Sequence, residues 1–256
     1  MEDMGNLPDR ERVTCGHPQI GEQDNTHKAA AADQYASRHD PFVYFHKIID
    51  DAVYCDAHVV NSRALAADLL DETTTPNYAF ITLNLCHDGH EGGGKTPCAD
   101  GTYPGGLISA DKFLADTVPN ILASPAFQHD GLLIITFDEA DIDIEPGDAA
   151  GTLKVKGDAS ACCGEPHGPN IKPDSEPVFA PGDTLPDKGP GVAGAGGGKI
   201  GAVLISRFIK PGTVSQEPYN HYSLLRSIED LFGLDHLGYA GQKGLKSFGS
   251  DVFTQP

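Results

Sequence analysis

Apolar positions along this chain fall into two kinds of pattern. Short uninterrupted runs predict buried strands. The clearest is Leu132-Leu133-Ile134-Ile135, bracketed by Gly131 and by the acidic pair Asp138-Glu139. A second, Tyr78-Ala79-Phe80-Ile81-Thr82-Leu83-Asn84, follows a break at Pro76-Asn77, and a third is Ile200-Gly201-Ala202-Val203-Leu204-Ile205-Ser206. Runs without polar alternation suit strands buried on both faces, as in a parallel sheet covered by helices. Elsewhere the apolar residues recur at helical spacing. Ala64, Leu65, Leu69 and Leu70 follow a cap at Asn61 or Ser62. Phe113, Leu114, Val118, Ile121 and Leu122 follow Ser109, with a kink predicted at Pro119. Leu224, Leu225, Ile228, Leu231 and Phe232 form an amphipathic helix that Gly233 ends.

Residues 78 to 139 therefore read as a strand-helix-strand unit, parallel and right-handed, and the chain as an α/β fold with helices on both faces of a parallel sheet. Residues 1 to 40 are polar and irregular, with a short helical start near Ala29 to Tyr35; Asp40-Pro41-Phe42-Val43-Tyr44-Phe45 opens a helix or strand packed on the core. The segment from Ala140 to Lys199 has little core-forming pattern and much Gly, Pro and Asp. It predicts a long loop or lid, tied in part by Cys162-Cys163, or a stretch disordered over part of its length.

Composition narrows the partners. The 256 residues carry a net charge of −19, which argues against nucleic acid and favours metal cations. No apolar run approaches the roughly 18 residues needed to cross a bilayer, and Met1 to Asn6 lacks the basic and apolar regions of a signal peptide. There are 6 cysteines and no CxxC pattern. Cys86 with Cys98 and Cys15 with Cys55 are candidate disulfides; buried free thiols are the alternative, since connectivity cannot be read from spacing.

Candidate chemistry lies just beyond the three strands. His87, Asp88 and His90 follow the first, Asp138 and Glu139 the second, and His221 lies beyond the third. Neighbouring strands of one parallel sheet would bring these groups to a single edge, where α/β folds bind ligands. Carboxylates with imidazoles suit a divalent ion acting on a phosphoryl oxygen as Lewis acid and charge clamp. Each residue also has a plainer reading. Asp138-Glu139 suits a solvated strand end or a helix N-cap, His87 and His90 suit the surface, and His221 suits a cap on the following helix.

Three motifs carry a resemblance: the run from Tyr35 to Phe45, the strand end Thr136-Phe137-Asp138-Glu139, and the long run from Tyr219 to Leu234. From about Thr14 to Phe253 the chain resembles the bacterial phosphoesterase family of acid phosphatases and phospholipase C enzymes. That family belongs to the alkaline-phosphatase-like superfamily, and the likeness extends to its secreted acid phosphatases, some of which act on phosphatidylinositol 3-phosphate. The resemblance implies an alkaline-phosphatase-like parallel sheet, with Asp138 and Glu139 as metal ligands. It also implies that His87 and Asp88 bind substrate and that His90 and His221 are catalytic. The family's Glu-Asn metal motif and its Ser or Thr nucleophile lie in an N-terminal segment that has no counterpart here. The chain is thus expected to be a truncated single domain, residues 1–256, equal to the C-terminal two-thirds of the family domain. The implied activity is metal-dependent hydrolysis of small-molecule or lipid-headgroup phosphate esters in an extracytoplasmic compartment. Alternatives are a cation-binding domain without chemistry and a phospholipase C-type phosphodiesterase.

Overall fold

The computed structural model describes residues 1–8, 10–26, 33–90, 105–140, 144–147, 152–155, 184–186 and 198–254, with 144–146, 152–155 and 184–186 as backbone alone. The chain divides into two compact units, Met1–Asp130 and Gly131–Pro256.

The first unit begins with short helical turns. The 3-10 turns Ser37–His39 and Pro41–Tyr44 meet at Asp40, whose side chain accepts from the Phe42 amide. Pro41 has no amide hydrogen to satisfy at that first position. Helices α1 (His46–Ile49) and α2 (Ala52–His58) follow, the latter capped by the Asp51 carboxylate on the Tyr54 amide. Asn61 caps the turn Ser62–Ala64 ahead of α3 (Leu65–Asp68), which stops short of Leu69-Leu70. The core is small: Met1, Met4, Cys15, Tyr35, Val43, Cys55 and Val59, with Phe42, Ile48 and Ile49 against it. A Cys15–Cys55 disulfide crosses it, as one expected pairing required. Cys86 is disulfide-bonded as well; Cys98, its expected partner, lies outside the described residues, as do Cys162 and Cys163.

Tyr78–Asn84 is not a strand. Its backbone bonds go to scattered partners, Glu2 donating to Thr82 and the His39 ring to Leu83, so no ladder forms. The predicted strand-helix-strand unit loses its first strand. Helix α4 (Gly106–Ala123) begins ahead of the expected cap: Gly105 sits at the N-cap with φ 78°, and Ser109 lies buried inside the helix. The helix runs through Pro119. Helix α5 (Pro125–Asp130) closes the unit.

The second unit opens with β1 (Leu132–Thr136). In the following segment, β2 (Ile144–Pro146), β3 (Thr152–Val155) and β4 (Thr184–Pro186) form an antiparallel sheet in the order β2-β3-β4. The stretch from Ala140 to Lys199 thus contains regular backbone where the sequence predicted a loop. Strand β5 (Ala202–Ser206) pairs with β1 antiparallel, Leu132 opposite Ser206 and Thr136 opposite Ala202. This corrects the parallel arrangement expected of these two runs. It also explains why β1 is half-buried rather than fully covered: among the described residues its only ladder partner is β5. Helix α6 (His221–Phe232) matches its prediction closely, with a capping box between Asn220 and Ser223 and Gly233 left-handed at φ 64°. No described helix is long and apolar enough to cross a membrane.

Candidate functional site

Two groups of candidate residues emerge, one in each unit. In the first, Asn84 builds the loop that carries them. Its side-chain oxygen accepts from the Cys86 and His87 amides at 2.9 and 3.0 Å, and its carbonyl from the His87 and Asp88 amides. Asn84 is buried, so these bonds fold the chain sharply just where the apolar run ends. Asp88 repeats the device, its Oδ1 accepting from the His90 amide at 2.9 Å across Gly89, which is left-handed at φ 89°. A residue with a Cβ would be strained there.

His87 is anchored on two sides. Its Nδ1 lies 2.8 Å from Glu2 Oε1, and its ring packs on Phe113 with centroids 5.4 Å apart. Asp88 Oδ2 lies 3.9 Å from His39 Nε2, while His39 Nδ1 donates to the Leu83 carbonyl at 3.0 Å. A carbonyl only accepts, so that bond fixes the His39 tautomer in its neutral form. His87 and Asp88 are thus part of one polar loop, and His90 is exposed at its end. Three members escaped the sequence reading. Asn84 was legible as a turn former ending an apolar run, and His39 lies inside the motif that carried the resemblance. Glu2, 85 positions before His87, left no signal.

In the second unit, Asp138 and Glu139 follow β1 and are exposed. The first residue of α6 reaches the same strand end: His221 Nε2 donates to the Asp138 carbonyl at 2.7 Å. Sequence reading associated His221 with this acidic pair through a parallel sheet; the association holds for Asp138, across an antiparallel ribbon. The donated proton occupies Nε2, leaving Nδ1 as the basic nitrogen of the neutral ring.

The loop before α6 is held by Asp251, whose carboxylate accepts from the Ser215 hydroxyl and from the Tyr219 hydroxyl at 2.8 Å. Chiefly through the Ser215 bond, the Asp251 carboxyl is kept below its ordinary range. Burial, aided by that same carboxylate, pushes the Tyr219 phenol up to about 12. Tyr219 also meets Phe248 edge-to-face at 4.8 Å. His221 therefore projects from a pinned helix start.

Two adjacent carboxylates supply the hard oxygen donors a divalent ion prefers, so Asp138 and Glu139 fit part of a metal site. Among the described residues no group of three His, Cys, Asp or Glu side chains converges to complete one.

Comparison with known proteins gives a consistent picture. The model of the Phosphoesterase family matches residues 16–235. The phosphate-repressible acid phosphatase of Penicillium chrysogenum is 29% identical over 143 residues, covering 54% of this chain and 31% of that protein. An acid phosphatase of Aspergillus niger is 24% identical over 223 residues, covering 87% of this chain and 38% of that protein. The chain thus spans well under half the length of these relatives. No solved structure matches it.

Proposed function

We propose, from the premise that this chain belongs to the Phosphoesterase family, that it carries catalytic groups of a metal-dependent acid phosphatase acting on phosphate monoesters. The observation that carries this reading is the 2.7 Å bond from His221 to the Asp138 carbonyl, which sets a helix-borne imidazole against an exposed acidic strand end. Phosphoryl transfer is catalysed mostly by positioning and electrostatics, and that bond serves positioning.

Asp138 and Glu139 are the proposed metal ligands. An ion bound there would polarise a phosphoryl oxygen and offset its developing charge. His221, with Nε2 committed to a carbonyl, acts at Nδ1 as a proton acceptor. For the first unit's own group, His90, exposed beyond the Asp88 turn, is the proposed proton donor. His87, oriented by Glu2 and Phe113, and Asp88, beside His39, bind the ester. The proposed compartment is extracytoplasmic, a reading the Cys15–Cys55 disulfide supports, because such bonds persist where the medium is oxidising.

The test is p-nitrophenolate release by the purified chain, and by the chain joined to a family N-terminal segment that carries the nucleophile, from p-nitrophenyl phosphate and from the bis ester, with and without EDTA. The expected result is monoester turnover that EDTA abolishes, that added divalent metal restores, and that Asp138→Asn or Glu139→Gln removes. Faster turnover of the bis ester would assign a phosphodiesterase instead. No release with any divalent metal overturns the proposal, and calorimetric metal binding without release would favour a cation-binding domain.

A further inference from the structure

The first unit also buries an acidic pair that, among the described residues, faces one cation. Side-chain exposure is 1% for Glu11, 0% for Asp33 and 9% for Arg10. Each carboxyl has one oxygen satisfied by backbone: Glu11 Oε1 accepts from the Gly5 amide and Asp33 Oδ1 from the Tyr35 amide, both at 2.8 Å. The Arg10 guanidinium donates to the Asp33 and Tyr35 carbonyls at 3.2 and 2.7 Å. It also lies 3.5 Å from Glu11 Oε2 and 3.3 Å from Asp33 Oδ2. Those two carboxyl oxygens are buried, and among the described residues no N–H donor bonds to either.

Two buried carboxylates beside one guanidinium repel each other, which favours a proton on one of them. Charge counting leads to the same result. One guanidinium balances one carboxylate, so full ionisation leaves an uncompensated charge out of water, which is strongly unfavourable. Asp3, the other acid facing the pair, adds repulsion at Asp33. The Tyr35 hydroxyl donates to the Gly16 carbonyl and stays neutral, its own ionisation suppressed by burial.

We propose that Arg10, Glu11 and Asp33 form a one-proton acid lock, which pins the N-terminal segment against Asp33–Tyr35 in acid and loosens it as the medium turns alkaline. The segment so held carries Met4, a member of the core, and leads to the Cys15 bridge. Burial raises the Glu11 carboxyl from its ordinary 4.5 to about 7, with the neighbouring Asp33 adding to the rise and the Gly5 amide opposing it. The sign follows from proton linkage. A raised folded-state value means the stabilisation is complete below about 4.5 and is lost as pH rises through about 7.

Thermal unfolding of the full chain between about pH 5 and about pH 8 tests this. The midpoint is expected to fall as pH rises and the Gly5 amide to lose hydrogen-exchange protection, while Glu11→Gln flattens both trends by mimicking the protonated acid. An unchanged pH slope in Glu11→Gln overturns the lock. Should that variant fail to fold, the carboxyl 13C resonance of Glu11 in the unsubstituted chain decides. Titration near neutrality supports the lock, and titration in the ordinary carboxylate range overturns it.

Discussion

His221 commits one ring nitrogen to a backbone carbonyl, and that fixes what the other can do. If its role is catalytic, His221→Ala should lower kcat on p-nitrophenyl phosphate at least tenfold, about 1.4 kcal/mol of barrier, with little change in KM. His221→Gln separates the two jobs, since its amide can still donate to the Asp138 carbonyl but offers no base. It should retain thermal stability and show the same loss of kcat; full activity in both variants would remove His221 from the chemistry. The His87 contact with Glu2 is a different case. Both side chains are largely shielded, at 21% and 15% exposure. Glu2→Ala is expected to raise KM while leaving kcat close to its starting value, because it frees a group proposed to bind substrate rather than to transfer protons. At this scale the sequence singled out candidate residues wherever local pattern marks them. Asp138, Glu139 and His221 stood out through a strand end and a helix start. Glu2 and His39 did not, because their partners lie 85 and 49 positions away and only tertiary folding selects them.

Helix α6 shows how far local signals reach. Its capping box and left-handed terminal glycine are encoded in Asn220, Ser223 and Gly233, and the structure uses all three. Asn220→Ala should cost about 1 kcal/mol, the usual worth of such a cap. Gly233→Ala should cost a similar amount, about 1 to 2 kcal/mol. Nothing lies within 4 Å of a Cβ built at Gly233, so that cost is backbone strain alone. Urea denaturation of each variant measures both, and a Gly233→Ala chain as stable as its parent would contradict the left-handed assignment. The strands were legible in position but not in direction. Four consecutive apolar residues say that Leu132 to Ile135 is extended and sheltered; they do not say which way the neighbour runs, which is set by the path of the intervening chain. The antiparallel register places Ile134 opposite Leu204. Cysteines at those two positions should cross-link, as peptide mapping would show, whereas Ile134→Cys with Ala202→Cys, two places out of register, should not. Tyr78–Asn84 failed as a strand for a related reason: its apolar pattern was adequate, but its backbone groups found irregular partners in Glu2 and His39.

At the scale of the whole chain, division into two compact units means that each needs its own means of stability. The first has a modest apolar core in which two of the seven buried members are the bridged cysteines. Beside the 18-residue α4, its remaining helices include α1 and α3 with 4 residues each and α2 with 7, too short to be stable without tertiary support. It also buries the Arg10, Glu11 and Asp33 cluster, which stabilises only while one proton is held. A covalent tie is therefore expected to matter more here than in a domain with a large core. The Cys15–Cys55 bond closes a loop with a sequence separation of 40 residues. On the chain-entropy account a loop of that size limits the unfolded ensemble by about 4 kcal/mol. The bond also fastens α2 to the segment where Cys15 donates its amide to the Val59 carbonyl at 2.7 Å. Replacing both cysteines with serine should consequently remove most of the first unit's stability and leave α6, whose caps lie within the second unit, largely intact. Hydrogen exchange read by mass spectrometry distinguishes the outcomes. Loss of protection across Ala52–His58 with retention across His221–Phe232 is the expected pattern, and equal loss in both would mean that the two units unfold as one.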